Sequence, residues 1–180
     1  VREMSAVRKA LIRPELGAIC GAILVFLFFI GIAGDSGMFA PEGIINWGTV
    51  AAQFAIIAVG ACLLMIAGEF DLSVGSMIGF SGVIIALMTV QWGFPTWFGI
   101  LVAFALALAI GALNGYLVIK TGLPSFIVTL AFLYILRGLT IFISIATTRK
   151  TIIGGVREAA EGDPVAWLFG GKVFSGLFVW

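Results

Sequence analysis

Long apolar runs broken by short polar interruptions make up almost the whole of this chain. Residues 16–33, 44–67, 74–90, 98–119 and 126–145 each form such a run. A helix needs roughly 20 apolar residues to cross a hydrocarbon core. The third run is slightly short, the fifth is interrupted by Arg137, and residues 173–180 read as the start of a sixth. Lipid offers backbone N–H and C=O groups no partners, so a spanning segment must be a helix or part of a closed barrel. The runs lack the alternation of barrel strands. The pattern therefore predicts an all-α fold, a polytopic transmembrane helical bundle. It holds about five complete spans and the start of a sixth in a single transmembrane domain over residues 1–180. The first residue is Val1, and the last apolar run stops at Trp180. Both suggest a piece of a longer protein.

Composition sharpens the class. The chain is 62% hydrophobic and only 11% charged, against about 25% charged residues in soluble domains. Its solvent must be mostly lipid or other membrane helices. A net charge of +1 gives no electrostatic footprint for nucleic acid. There is no histidine, which removes the commonest general base and metal ligand. Cys20 and Cys62 sit inside apolar runs without metal-type spacing and read as small buried hydrophobes. No P-loop signature and no His-based triad occurs. Neither an enzyme, nor a metal site, nor a cofactor is indicated.

Charge also suggests an orientation. Arg2, Arg8, Lys9 and Arg13 precede the first span, and such residues stay on the cytoplasmic side. That run is longer than a signal-peptide core, so it is read as a retained anchor. Counting onward, residues 35–41, 91–96 and 147–172 lie outside, and 69–71 and 120–124 inside. Trp92 and Trp97 flank a Gly93-Phe94-Pro95 loop, as expected at a membrane interface. Glu158-Ala159-Ala160 superficially suggests an ATPase-docking loop. Its glycine spacing is wrong and its predicted side is outside, so the match is rejected.

The informative residues are those that interrupt the runs, because polar groups at membrane depth are costly. Gly68-Glu69-Phe70-Asp71-Leu72-Ser73-Val74-Gly75-Ser76 links the second and third runs. Asp71 or Ser73 could cap the following helix, and the same segment could line a solute path. Asn114 could make an interhelical hydrogen bond. Arg137 must pair, snorkel or face water, with Asp71 or Glu69 among its candidate partners. Gly75/Gly79 and Gly111/Gly115 form small-xxx-small faces suited to helix packing.

Three stretches then depart from a generic membrane protein. Asp71-Leu72-Ser73-Val74-Gly75-Ser76 resembles a signature of ribose/xylose-type ABC importer permeases. Gly111-Ala112-Leu113-Asn114-Gly115 is similar to their Gly-x-x-Asn-Gly motif. Pro124-Ser125-Phe126-Ile127-Val128-Thr129-Leu130, with Leu136-Arg137-Gly138, resembles a further one, in the same order. Glu69-Phe70 departs from the family's more usual residues before the aspartate. The resemblance implies the N-terminal part of a bacterial inner-membrane sugar permease that works as a dimer. Its implied partners are a periplasmic sugar-binding protein and separate cytoplasmic P-loop ATPases, with the lipid bilayer as its environment. It would carry a monosaccharide inward through an alternating-access path, with Asp71, Ser73, Asn114, Ser125 and Arg137 as path or gate positions. Relatives could carry amino acids, nucleosides or a signalling furanone. Two rivals of other classes remain: a channel or ion-coupled secondary transporter, with Glu69, Asp71 and Arg137 as a charge relay, and a purely structural membrane subunit or non-functional fragment.

Overall fold

A computed structural model describes residues 14–166, together with 172–173 and 177–178. Five long helices follow one another: α1 (Pro14–Ala33), α2 (Pro41–Ile66), α3 (Val74–Ala86), α4 (Thr96–Thr121) and α5 (Ser125–Thr148). A wider π-type turn, Leu87–Gln91, extends α3. All five are long and apolar enough to cross a membrane once that turn is counted with α3. A short α6 (Val156–Ala159) and two-residue strands β1 (Lys172–Val173) and β2 (Leu177–Phe178) follow. The strands pair antiparallel, with Lys172 opposite Phe178.

The local causes are visible in the sequence. Proline opens α1 and α2 and immediately precedes α4 and α5. There its missing N–H costs nothing and its fixed φ suits a helix entry. α4 ends on Gly122 in the left-handed region (φ +68°). α5 ends on Arg149, also left-handed, whose N–H bonds to the Ile145 carbonyl at 2.9 Å. α2, α4 and α5 start one to three residues before their apolar runs because Pro41, Thr96 and Ser125 are polar or turn-forming yet helical. The sixth span expected at 173–180 lies largely outside the described residues. Where the chain is described there, β1 and β2 form instead of a helix. Its Val and Phe residues suit a strand.

The chain divides into two units, Val1–Ala51 and Ala52–Trp180, with the boundary inside α2. In the first, Phe26 meets Trp47 edge-to-face at 5.7 Å, and the Trp47 indole N–H donates to the Met38 carbonyl at 3.3 Å. Gly43 packs directly on the Gly37 and Met38 carbonyls, where a side chain could not fit.

In the second unit, α3 packs on α4 and α5, which also meet each other. Phe80, Ala86, Leu87, Ala103, Val128 and Leu136 form its small core. Most other large apolar side chains are exposed, Ile66 and Ile119 by more than four-fifths. Apolar surface of that extent marks a lipid or protein contact. Gly99 lets α3 and α4 approach closely: a Cβ there would lie 3.3 Å from Ile85 Cα and from Met88 Cβ. Gly75, Gly79, Gly111 and Gly115, read from the sequence as packing positions, have no such neighbour within 4 Å. Their faces turn away from the α3–α4 contact.

At the end of the unit where α4 begins, the segment after α5 forms a strap. Buried Ser144 donates to the Lys150 carbonyl at 2.7 Å and turns the chain back. Further on, Asp163 accepts from the Val165 N–H (2.8 Å) and the Ala166 N–H (3.4 Å), capping a helical turn that opens at Pro164. Its other oxygen accepts from the Thr96 N–H at 2.9 Å. One carboxylate thus serves two helix starts, where orphan N–H groups and the helix dipole both favour a negative charge. Burial raises the Asp163 pKa, but the three amides and the nearby Thr96 hydroxyl outweigh it and hold the carboxyl below its ordinary 3.8.

Two outcomes are expected. Gly99→Leu overpacks the α3–α4 contact and lowers stability by about 1–3 kcal/mol, read as a lower thermal midpoint in detergent. The depressed Asp163 pKa means that its contribution is intact above pH 3.8 and is lost as pH falls through the lower folded value. Pepsin cleavage within residues 150–166 should rise across that fall, and Asp163→Asn should remove the pH dependence.

Candidate functional site

The opposite end of the same unit holds the polar link between α2 and α3. α2 stops in a glycine-ended cap. Gly68 is left-handed (φ +82°), its N–H bonds to the Met65 carbonyl, and the Glu69 N–H reaches back to Leu64 at 3.1 Å. This 6→1 and 5→2 pair is the Schellman arrangement, and glycine meets its positive φ without strain.

Residues 70–73 then run beside the first turns of α5. The Phe70 N–H donates to Ser125 Oγ at 3.0 Å, and the Leu72 N–H donates to Thr129 Oγ1 at 3.1 Å. The spacing explains the fit. Two residues of extended chain advance about 6.7 Å, and four residues of helix about 6 Å. Alternate amides of the link therefore meet hydroxyls one helical turn apart. Thr129 Oγ1 also lies 2.9 Å from the Ser125 carbonyl of its own helix, to which it donates. That leaves a lone pair for Leu72.

Asp71 lies between these two anchored amides. Its Oδ1 accepts from the Ser73 N–H at 2.8 Å and from Ser73 Oγ at 2.6 Å. Ser73 itself makes no side-chain cap. The Asp71 carboxylate instead holds the N–H and hydroxyl of that N-cap residue from two positions upstream, near the positive end of the α3 dipole. Ser73 Oγ, having given its proton to Asp71, accepts from Asn114 Nδ2 on α4 at 3.3 Å. Ser73, Asn114, Ser125 and Thr129 are all buried. Asn114 is 5% exposed, yet its Oδ1 has no hydrogen-bond partner.

Asp71, Ser73, Asn114 and Ser125 thus converge at one end of α3, α4 and α5. Arg137 does not join them. It lies on α5 about 18 Å beyond Ser125 by helical rise, and it is exposed. The pairing of Arg137 with Asp71 that the sequence allowed is not made, because the Asp71 contacts are to Ser73. A direct relay through Glu69, Asp71 and Arg137 is not assembled either. Thr129 belongs to the site although it is not among the path positions that the sequence suggested. The signal for it was the i, i+4 spacing from Ser125, which puts both hydroxyls on one face. Among the described residues no group of His, Cys, Asp and Glu could hold a metal ion. The arrangement is suited to hydrogen bonding with a polar solute or to joining three helix ends.

Residues 43–178 match the family described as branched-chain amino acid transport system / permease component. The chain is 34% identical over 162 residues to the xylose transport system permease protein of Haemophilus influenzae, covering 88% of this chain and 43% of that protein. It is 38% identical over 127 residues to the xylose permease protein of Escherichia coli, covering 71% of this chain and 32% of that protein. The fructose import permease protein of Bifidobacterium longum is 34% identical over 126 residues, covering 68% of this chain and 33% of that protein. The chain spans less than half the length of each of these relatives. No solved structure matches.

Removing either anchor hydroxyl leaves a part-buried backbone N–H without its partner, at about 1 kcal/mol. Ser125→Ala and Thr129→Val should each lower the thermal midpoint of the purified protein. Because both hold one segment, the double variant should lose less than the sum of the two.

Proposed function

The chain belongs to the branched-chain amino acid transport system permease family of ABC transporters, and on that premise we propose that it is the N-terminal part of an inner-membrane importer permease carrying a monosaccharide inward. The observation that carries this reading is the hydrogen-bonded link of residues 68–73. It gathers polar groups from three apolar helices at one membrane end, in a chain similar to xylose permeases over most of its length. The basic segment ahead of α1 supports a cytoplasmic N-terminus, and with it a link on the cytoplasmic side.

The link acts as the inner closure of the path. Its own amides are satisfied by Ser125 and Thr129, so it persists as non-helical backbone in a low-dielectric setting. The Asp71–Ser73–Asn114 chain ties α3 to α4 beside it, and Asn114 Oδ1 is free to accept from a solute hydroxyl. Opening inward separates α5 or α4 from the link and exchanges these bonds for bonds to solute and water. Arg137, farther along α5, faces the path between its ends. The energy comes from cytoplasmic ATPase chains, affinity and specificity from a periplasmic binding protein, and a second permease chain completes the path. An ion-coupled transporter is less well supported, because Arg137 stands apart from the carboxylates a relay would need.

The test is uptake by the full-length protein in proteoliposomes, with its ATPase and binding protein, across a panel of pentoses, hexoses and branched-chain amino acids. ATP-dependent pentose or hexose uptake is expected. Asn114→Ala should slow it about tenfold, which is the effect of ~1.4 kcal/mol on a limiting barrier, without loss of assembly. Uptake driven by an ion gradient without ATP would overturn the proposal, as would ATP-dependent uptake confined to amino acids.

A further inference from the structure

At the strap end, α3 stops being an ordinary α-helix. Its last turn is wound to the π register, with the Trp92 N–H bonded to the Leu87 carbonyl at 3.1 Å. The Met88 carbonyl, which an α-register would offer to Trp92, is occupied by the Phe94 N–H at 2.9 Å. Single π turns hold one extra residue and recur where helices carry function.

Thr89 sits inside this turn and, with Thr96 at the first position of α4, stands apart from the other threonines of the long helices. Thr49, Thr121, Thr129, Thr140, Thr147 and Thr148 each place their hydroxyl 2.6–2.9 Å from the carbonyl four residues back. Thr89 Oγ1 has no partner, although the residue is only 4% exposed. The Ile85 carbonyl, its α-register acceptor, lies instead against Gly99, 3.5 Å from where a Cβ would stand. A buried hydroxyl without a partner disfavours the register that strands it.

The surroundings hold this register in place. α6 packs on the π turn, and Gly155 (φ +83°) lies over Val90, with a Cβ position 3.9 Å from its Cγ1. Asp163 clamps the strap to the start of α4 through the Thr96 N–H. Above the turn, a cavity of about 700 Å³ is lined by Thr89, Phe94, Thr96, Trp97, Asp163 and Val165. It gives the segment room to move. Gly93, already at φ +67°, can absorb the residue that an α register would expel.

We infer that residues 87–93 are a two-register switch at the outer end of α3, held in the π form by the strap and relaxing to the α form when the Asp163 clamp releases. In the α form Trp92 bonds to Met88, Thr89 Oγ1 bonds to Ile85, and Phe94 is freed. Gln91 and Trp92 turn relative to α4. The switch itself stands on the hydrogen-bond geometry. Its role as an outer gate rests on the permease reading.

Distances between spin labels test it in the full-length protein in lipid nanodiscs. Cys20→Ser and Cys62→Ser remove the free thiols of this segment, cysteines elsewhere in the full-length protein are replaced likewise, and Gln91→Cys with Leu101→Cys carry the labels. Two populations several ångströms apart are expected. Asp163→Ala should enlarge the α-register population at least twofold. Thr89→Val, which removes the hydroxyl that gains from that register, should shrink it, and Thr89→Ser should restore it. A single distance shared by the parent, Asp163→Ala and Thr89→Val would overturn the inference. Populations that shift as described, in a protein that moves no sugar in the uptake panel, would support the switch and remove the sugar reading.

Discussion

A stretch of backbone that leaves the helical conformation near lipid has no water to replace its lost bonds, and each unsatisfied group there costs several kcal/mol. The link of residues 68–73 lives under that constraint. Its N–H groups are met by Ser125 and Thr129, its turn out of α2 by the Gly68 cap, and its entry into α3 by Asp71. Every helix of the second unit's core touches this segment or is tied to a residue that does. The hydrogen-bond map at this end therefore decides how α3, α4 and α5 are placed. The apolar core is too small to do that alone, since most apolar surface faces outward.

The same constraint is met differently at the far end. There α4 opens on Thr96 after a proline, and its first N–H is served by a residue from a distant loop, Asp163. A carboxylate that serves two helix starts replaces several neutral caps with one charge-assisted group. It also makes the geometry of the α3–α4 turn depend on where the strap lies. The link at 68–73 is bonded through residues of the helices it joins. The turn at 87–93 is held through a segment that lies outside the spans.

The spans were legible in the sequence because length and apolarity alone determine them. Their ends were less so: Thr96, Ser125 and Pro41 look like loop residues and prove helical, because a first turn tolerates both proline and hydroxyls. Asp71, Ser73, Asn114 and Ser125 stood out as polar interruptions, and the structure brings those four together. Thr129 was hidden for a physical reason. A threonine in a membrane helix usually satisfies itself on the preceding turn, as six here do, so its residue type carries no signal of a second, longer-range bond. The π turn and the Asp163 clamp left no mark at all. A register change has no composition, and the bond from Asp163 to Thr96 joins positions that only the fold makes neighbours.

The two ends impose different limits on how the unit can move. α3 runs about 20 Å from Ser73 to Leu87 by helical rise, as a straight α-helix fixed at its first residue by Asp71 and Asn114. A change of register beyond Leu87 rotates only the residues C-terminal to it, so the turn at 87–93 can rearrange while α3 and the link stay in place. Movement at the link end has no such freedom: it must break the bonds of Ser125, Thr129 or Asn114 to the link, and those bonds span three helices. In the proposed permease the strap end would therefore change state with the link end closed, whereas the link end would open only by a concerted shift of α4 or α5. That ordering is what alternating access demands of a path that must never be open at both ends, and under the proposal it would arise from which hydrogen bonds are local and which cross between helices.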